Sequence, residues 1–207
     1  MREFPKPIVV VSKCIEFGPV RWNSEIISSD FVRKLKHCVN FIPVCPEVEI
    51  GLGVPRNPLR VVSSDGKVKL IQPDTAIDLT DKMLKFAESF LNSLPAVDGF
   101  ILKSSSPSCA PRDTKVYPDC QESAPTARSS GFFGKKALQK YSRAAVEDER
   151  RLANPRTAKH FLERVFTSAR LRQVKASKSP NPRAKLKPGK RVLHHAGPRV
   201  RTKRKIG

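Results

Sequence analysis

No apolar run in the 207 residues approaches the roughly 18–20 needed to cross a bilayer. The opening MREFPKPIVVVSK has an apolar stretch too short for a secretory core, and no small-residue cleavage pattern follows it. Neither a membrane span nor an export leader is expected, and the chain reads as cytoplasmic. Cysteine is sparse: five residues at irregular spacing, an odd number that builds no disulfide framework. Closely spaced cysteine pairs are missing, and His37, His160, His194 and His195 share no ligand spacing with the cysteines, which leaves zinc only a runner-up metal. Gly51 and Gly53 complete neither a Walker loop nor a dinucleotide fingerprint. Acid is absent from residues 173–207, which hold twelve Lys and Arg and no Asp or Glu. Residues 1–172 then carry 28 basic and 19 acidic side chains, a net +9 of the total +21. Phosphate backbones are the natural partner of such a surface, and the alternative is a solvated tail with no task.

Hydrophobic content of 39% supplies one core domain with a smaller appendage. Three short apolar runs each deliver a thiol. Ile8–Val11 leads through Ser12 and Lys13 to Cys14, Phe41–Val44 leads into Cys45, and Gly99–Leu102 leads through the hydroxyl-rich Lys103–Ser108 to Cys109. Such runs, bounded by turn residues, read as interior strands. Ligands of an open parallel sheet gather beyond the carboxyl ends of its strands. If the three strands are neighbours, the three sulfurs meet. Taken singly, a cysteine at a strand end is a ligand, a nucleophile or merely a small buried hydrophobe. Cys38 and Cys120 read as structural or incidental.

Between these strands the pattern is that of an α/β protein. Asp30 is expected to cap a helix through about His37, and residues 40–44 form the second strand. Cys45–Pro58, dense in Gly and Pro, reads as irregular loop. Residues 60–62 and 68–71 flank Ser64-Asp65-Gly66 as a hairpin, and a helix runs from Asp78 or Thr80 to Leu94 with Met83, Ala87, Phe90 and Leu91 inward. Alternating helices and apolar strands predict a Rossmann-like, mostly parallel open sheet. Residues 111–130 read as loop, followed by helices near 135–141 and 158–172. The expected division is an α/β domain over 1–128, a small helical module with a basic surface over 129–172, and a disordered basic tail over 173–207.

The segments SKCIEFGPVRW, FIPVCPEVEIGLGVPR and DGFILKSSSPSC, within residues 6–142, together resemble a bacterial iron–sulfur desulfidase family whose studied members remove sulfur from thiouracil. The following GFFGKKALQKY and VEDERRLANPRTAKHFLERVF resemble the opening, cut short, of a helical domain fused behind desulfidases that act on 4-thiouridine in tRNA, where it grips RNA. The sequence departs from that pattern at Ala110 and Ser24, where glycine is expected. The resemblance implies that Cys14, Cys45 and Cys109 hold a 4Fe–4S cluster with one iron open, and that Glu47 and Ser106 are its polar catalytic neighbours. Arg21, Arg56 and Ser108 are candidates for contacts to the substrate. The implied substrate is thiolated tRNA or thiouracil as free base, and a homodimer is kept open. The competing reading is a non-catalytic fragment that binds nucleic acid by charge alone.

Overall fold

The computed structural model describes residues 4–64, 66–121 and 123–178. Its centre is a four-stranded parallel sheet of β1 (Ile8–Ser12), β2 (Asn40–Val44), β6 (Gly99–Leu102) and β9 (Ala145–Asp148), in the spatial order β2-β1-β6-β9. Both faces of β1 and β6 are covered, which explains why their sequences are continuously apolar rather than alternating. Val10, Phe100 and Leu102 face one core, and Val9, Val11 and Ile101 face the other. The first core is closed by α3 (Thr80–Ser93) and α4 (Phe132–Lys140) through Met83, Ala87, Leu91, Phe133 and Ala137. The second is closed by Val32 of α1 (Asp30–Leu35) and by Phe161 and Val165 of α5 (Pro155–Lys178). The expected α/β layering is therefore present.

A second sheet was not foreseen as such. The hairpin β3 (Arg60–Ser64) and β4 (Lys67–Gln72) is extended on one side by β5 (Ile77–Asp78) and on the other by β7 (Thr114–Tyr117) and β8 (Ala127–Ser129). Residues 111–130, read as loop, thus contain two strands. Thr114 and Val116 turn inward while Lys115 stays exposed, an alternation too short to register in the sequence. Asp65 of the predicted turn lies outside the described residues.

The expected boundary at residue 128 is corrected more substantially. Residues 129–172 are not a separate helical module: β9 pairs in parallel with all four residues of β6, and α4 and α5 pack on the same sheet. Arg172 of α5 reaches back to the buried carboxylate of Asp98 at 2.8 Å, and Asp98 in turn accepts the N–H of Ile8 at 2.8 Å. The last helix thereby locks onto the start of the first strand. Residues 4–177 fall in one compact unit. Helix α5 also runs through Lys178 rather than ending at Arg172, so residues 173–178 are helical and the rest of the predicted disordered tail lies outside the described residues. At α1 the cap is Ser29, whose hydroxyl accepts from Val32 N, rather than Asp30, which occupies the first turn. Among the described residues no helix is long and apolar enough to span a membrane.

Candidate active site

The parallel strands place four chain segments at one edge of the sheet. β1 ends two residues before Cys14, β2 ends at the residue before Cys45, β6 runs into Lys103–Cys109, and β9 runs into Glu149 and Arg150. The connection from β2 to β6 steps over β1, so the strand order reverses between β1 and β6. That is the switch point where an open α/β sheet leaves a crevice beyond its carboxyl ends. The crevice here is a pocket of about 240 Å³. Cys14, Cys45 and Cys109 all line it, together with Arg21, Glu47, Arg56 and Ser106 among the residues singled out from sequence. Trp22, Lys103 and Arg150 also line it. Cys38 and Cys120 are elsewhere: Cys38 faces the Leu35 carbonyl at the end of α1, and Cys120 is exposed.

Each thiol is buried and each has its own support. Cys45 precedes the short helix α2 (Pro46–Glu49), part of the stretch read as irregular loop. Burial raises the Cys45 thiol, and the Val48 and Glu47 amides facing its sulfur only partly offset this. Burial and the adjacent Cys45 push Cys14 up to about 12, against the pull of Lys103 and Arg21. Cys109 is driven well above the ordinary thiol range by burial, with Ser12 opposing and Cys45, Cys14 and Glu47 adding to the rise. Cys45 raises both Cys14 and Cys109, and Cys14 raises Cys109. Thiols that bind a metal must first give up their protons to it.

The loop carrying Cys109 is held from three sides. Ser106 Oγ accepts from the N–H groups of Cys109 at 3.0 Å and Ser108 at 3.3 Å, so this side chain shapes the turn that aims the thiol. The first turn of α4 points its free amides at the loop's carbonyls. Phe133 N and Gly134 N donate to Ser108 O at 2.9 and 3.1 Å, Phe132 N to Pro107 O at 3.1 Å, and Gly131 N to Ala110 O at 2.8 Å. Two glycines make this approach feasible: a Cβ on Gly131 would stand 2.6 Å from Ser108 C, and one on Gly134 only 2.4 Å from Ala110 O. Acidic anchors fix the serines ahead of Cys109. Glu149 accepts from Ser104 N and Oγ and from Lys103 Nζ, the last at 2.6 Å, and Asp113 accepts from Ser105 N and Oγ, each at 2.7 Å.

Glu47 is held rather than loose. Its Oε2 takes Arg56 Nη2 at 2.7 Å and Nε at 2.8 Å, and its Oε1 accepts the hydroxyl of Ser108 at 2.8 Å. Arg56 spends its remaining reach on the carbonyls of Val20 and Gly53, both at 3.0 Å. The fully buried Ser108 is not among the pocket's lining and gives its hydroxyl to Glu47, while Arg56 holds Glu47 and also lines the pocket. Arg21 does line the pocket, with its guanidinium paired to Glu25. The residues missed in sequence, Lys103, Glu149, Asp113 and Arg150, carry no motif of their own. Ser24, where glycine was expected, sits at φ 61.

The donor set also bears on what the pocket holds. Among the described residues no three His, Cys, Asp or Glu side chains close around one point as the ligands of a single ion do. Three thiols spread around one cavity suit a group of several metal atoms, each sulfur binding a different one, and thiolates are the ligands of such groups.

The sequence profile of 2-thiouracil desulfurase matches residues 9–149, which include all three thiols and both carboxylate anchors of the loop. The chain belongs to the 2-thiouracil desulfurase family. Within reach of this family's fold, a solved [4Fe-4S]-dependent thiouracil desulfidase, TudS, superposes with a TM-score of 0.57 at 25% identity, covering 76% of this chain and 99% of that one. An uncharacterized protein of Bacillus subtilis (strain 168), YbbK, is 28% identical over 109 residues, 49% of this chain and 72% of its own. The family match ends at the close of β9, so the pocket lies wholly inside it while α5 lies beyond.

Proposed function

We propose that this desulfurase-family protein removes sulfur from a thiolated uracil by hydrolysis, at a 4Fe–4S cluster held by Cys14, Cys45 and Cys109. The observation that carries the reading is the convergence of three thiols from three strand ends on one pocket beside Glu47. When bound by three thiolates, such a cluster offers one iron without a protein ligand, a soft Lewis acid for an exocyclic sulfur. The protein's share is to seat the ring and to manage water. Trp22, about half exposed, and Arg21 stand at the pocket wall to receive the pyrimidine. Glu47 takes a proton from the attacking water at Oε1, the oxygen not occupied by Arg56, and returns it to the departing sulfide. The Arg56 pair keeps the carboxylate aimed, and the Ser106 hydroxyl, on the same wall, orders the water. The balance is thio-base plus water giving oxo-base plus hydrogen sulfide, with no electron consumed. Anaerobic incubation with 2-thiouracil tests it: wild type releases sulfide, and Glu47→Ala keeps the iron but loses turnover. Iron-loaded wild type without sulfide release overturns the reading.

A second, narrower reading makes the substrate 4-thiouridine in tRNA. Its support is the basic excess, net +9 over residues 1–172 with twelve further cations beyond. Against a separate RNA-gripping module stands the inclusion of 129–172 in the α/β domain. Sulfide from the free base but none from thiolated tRNA would leave the first reading alone standing, and a colourless chain without iron would leave only charge-driven nucleic-acid binding.

A further inference from the structure

A cavity larger than the thiol pocket lies elsewhere in the molecule. It is a groove of about 690 Å³ at the opposite edge of the parallel sheet, between α5 and the chain leading into β6. Asp98, on its floor, directly precedes β6, whose four residues, about 13 Å of strand, separate groove from thiol pocket.

The floor is satisfied and rigid. Asp98 is closed off by Arg172 and Ile8 N, and Arg164 Nη2 donates to the carbonyls of Arg143 at 3.0 Å and Ala144 at 3.1 Å. The walls are not neutral. Arg143 and Lys175 line the groove and take part in no ion pair among the described residues, and exposed His160 joins them. Glu163, which also lines the groove, is the one acidic side chain of α5, against seven Lys and Arg over its 24 residues. That helix, about 36 Å long, lines the groove from His160 to Lys175. Exposed Leu171 adds an apolar contact within the groove. A trough bearing two exposed cations that take part in no ion pair among the described residues suits successive phosphates of a polymer. A free base supplies none.

We propose that this groove anchors the phosphodiester backbone of an RNA whose thiolated base occupies the thiol pocket. The inference rests on the tRNA reading above and gives it a place on the protein. Arg143 and Lys175 make the contacts, and Arg164 and Arg172 build the floor.

The test uses the full chain with its cluster reconstituted and two double variants. R143Q/K175Q removes the free groove cations; K82Q/K85Q removes two exposed lysines of α3, on the other face of the sheet. With thiolated tRNA, R143Q/K175Q raises KM severalfold at unchanged kcat and lowers the slope of log affinity against log salt by about two, one per lost phosphate contact. With 2-thiouracil its kinetics match wild type, and K82Q/K85Q matches wild type on both substrates. Equal effects of the two double variants on tRNA overturn the groove and leave diffuse charge, as does an unchanged KM for R143Q/K175Q. Wild type releasing sulfide from 2-thiouracil but none from thiolated tRNA overturns the groove together with the tRNA reading, while the desulfidase reading stands.

Discussion

Replacing Gly134 by alanine adds one methyl group at the point where α4 meets the Cys109 loop. The new Cβ would stand 2.4 Å from Ala110 O and 2.5 Å from Cys109 O, both backbone atoms with no side-chain freedom to yield. Restoring ordinary contact, which begins at 3.4 Å, requires α4 and the loop to part by about 1 Å. That motion lengthens the bonds from Phe133 N and Gly134 N to Ser108 O and from Gly131 N to Ala110 O. Overpacking of this kind costs about 1–3 kcal/mol. The displaced atoms include the carbonyl of Cys109 itself, so the loss falls on the thiol's position before it falls on the fold. The assay is iron and acid-labile sulfide per chain after anaerobic reconstitution, beside the urea midpoint of the apoprotein. Gly134→Ala is expected to show a lowered midpoint and a larger proportional loss of iron. Gly18→Ala, whose Cβ would meet nothing closer than 3.5 Å, serves as the control and loads normally. Full iron content and an unchanged midpoint in Gly134→Ala would refute the reasoning, because the amides of α4 would then not be what holds the loop.

Arg56→Gln removes both bonds to Glu47 Oε2, and turnover should fall about 100-fold with iron content retained, since a small misplacement of a reacting group has that cost; Arg56→Lys should rescue little, lacking the fork. Glu149→Ala strands the ammonium of Lys103 in a site where both side chains are largely buried, and denaturant titration should register a loss of about 3–5 kcal/mol. Glu16 is held at about 2 by hydrogen bonds from Arg33, chiefly, and from Ser29 N. Its folded value lies below its unfolded one of 4.5, so its contribution is complete above pH 4.5 and drains away as pH falls toward 2. Glu16→Gln should flatten that part of the acid-denaturation profile, and an unchanged profile would remove Glu16 from the account.

The three thiol-bearing strands and α3 were legible because burial on both faces, or on one helical stripe, writes itself into consecutive residues. Val9, Val10 and Val11 alternate between two cores yet read as one apolar run. β9 was not legible: AVED carries two carboxylates, and its pairing with β6 is set by what α4 and α5 bring to the sheet. β8, three residues long and mostly exposed, was not legible either. In the site, Cys14, Cys45 and Cys109 stood out by position relative to strand ends. Lys103–Glu149 and Ser105–Asp113 did not, because an anchor's identity depends on a partner chosen by the fold, 46 residues away in the first case. Arg56 was noticed as a cation, but only the structure shows its guanidinium already spent on Glu47, Val20 and Gly53. The helical module expected over 129–172 shows the reverse error: a helix does cover 158–172, but its buried Phe161 and Val165 pack on the central sheet.

The most direct test of the central claim is the iron and visible absorbance of five single cysteine variants reconstituted without oxygen. The account predicts that Cys14→Ala, Cys45→Ala and Cys109→Ala each lose the cluster, while Cys38→Ala and Cys120→Ala load as wild type does. A full complement of iron in any of the first three would contradict it.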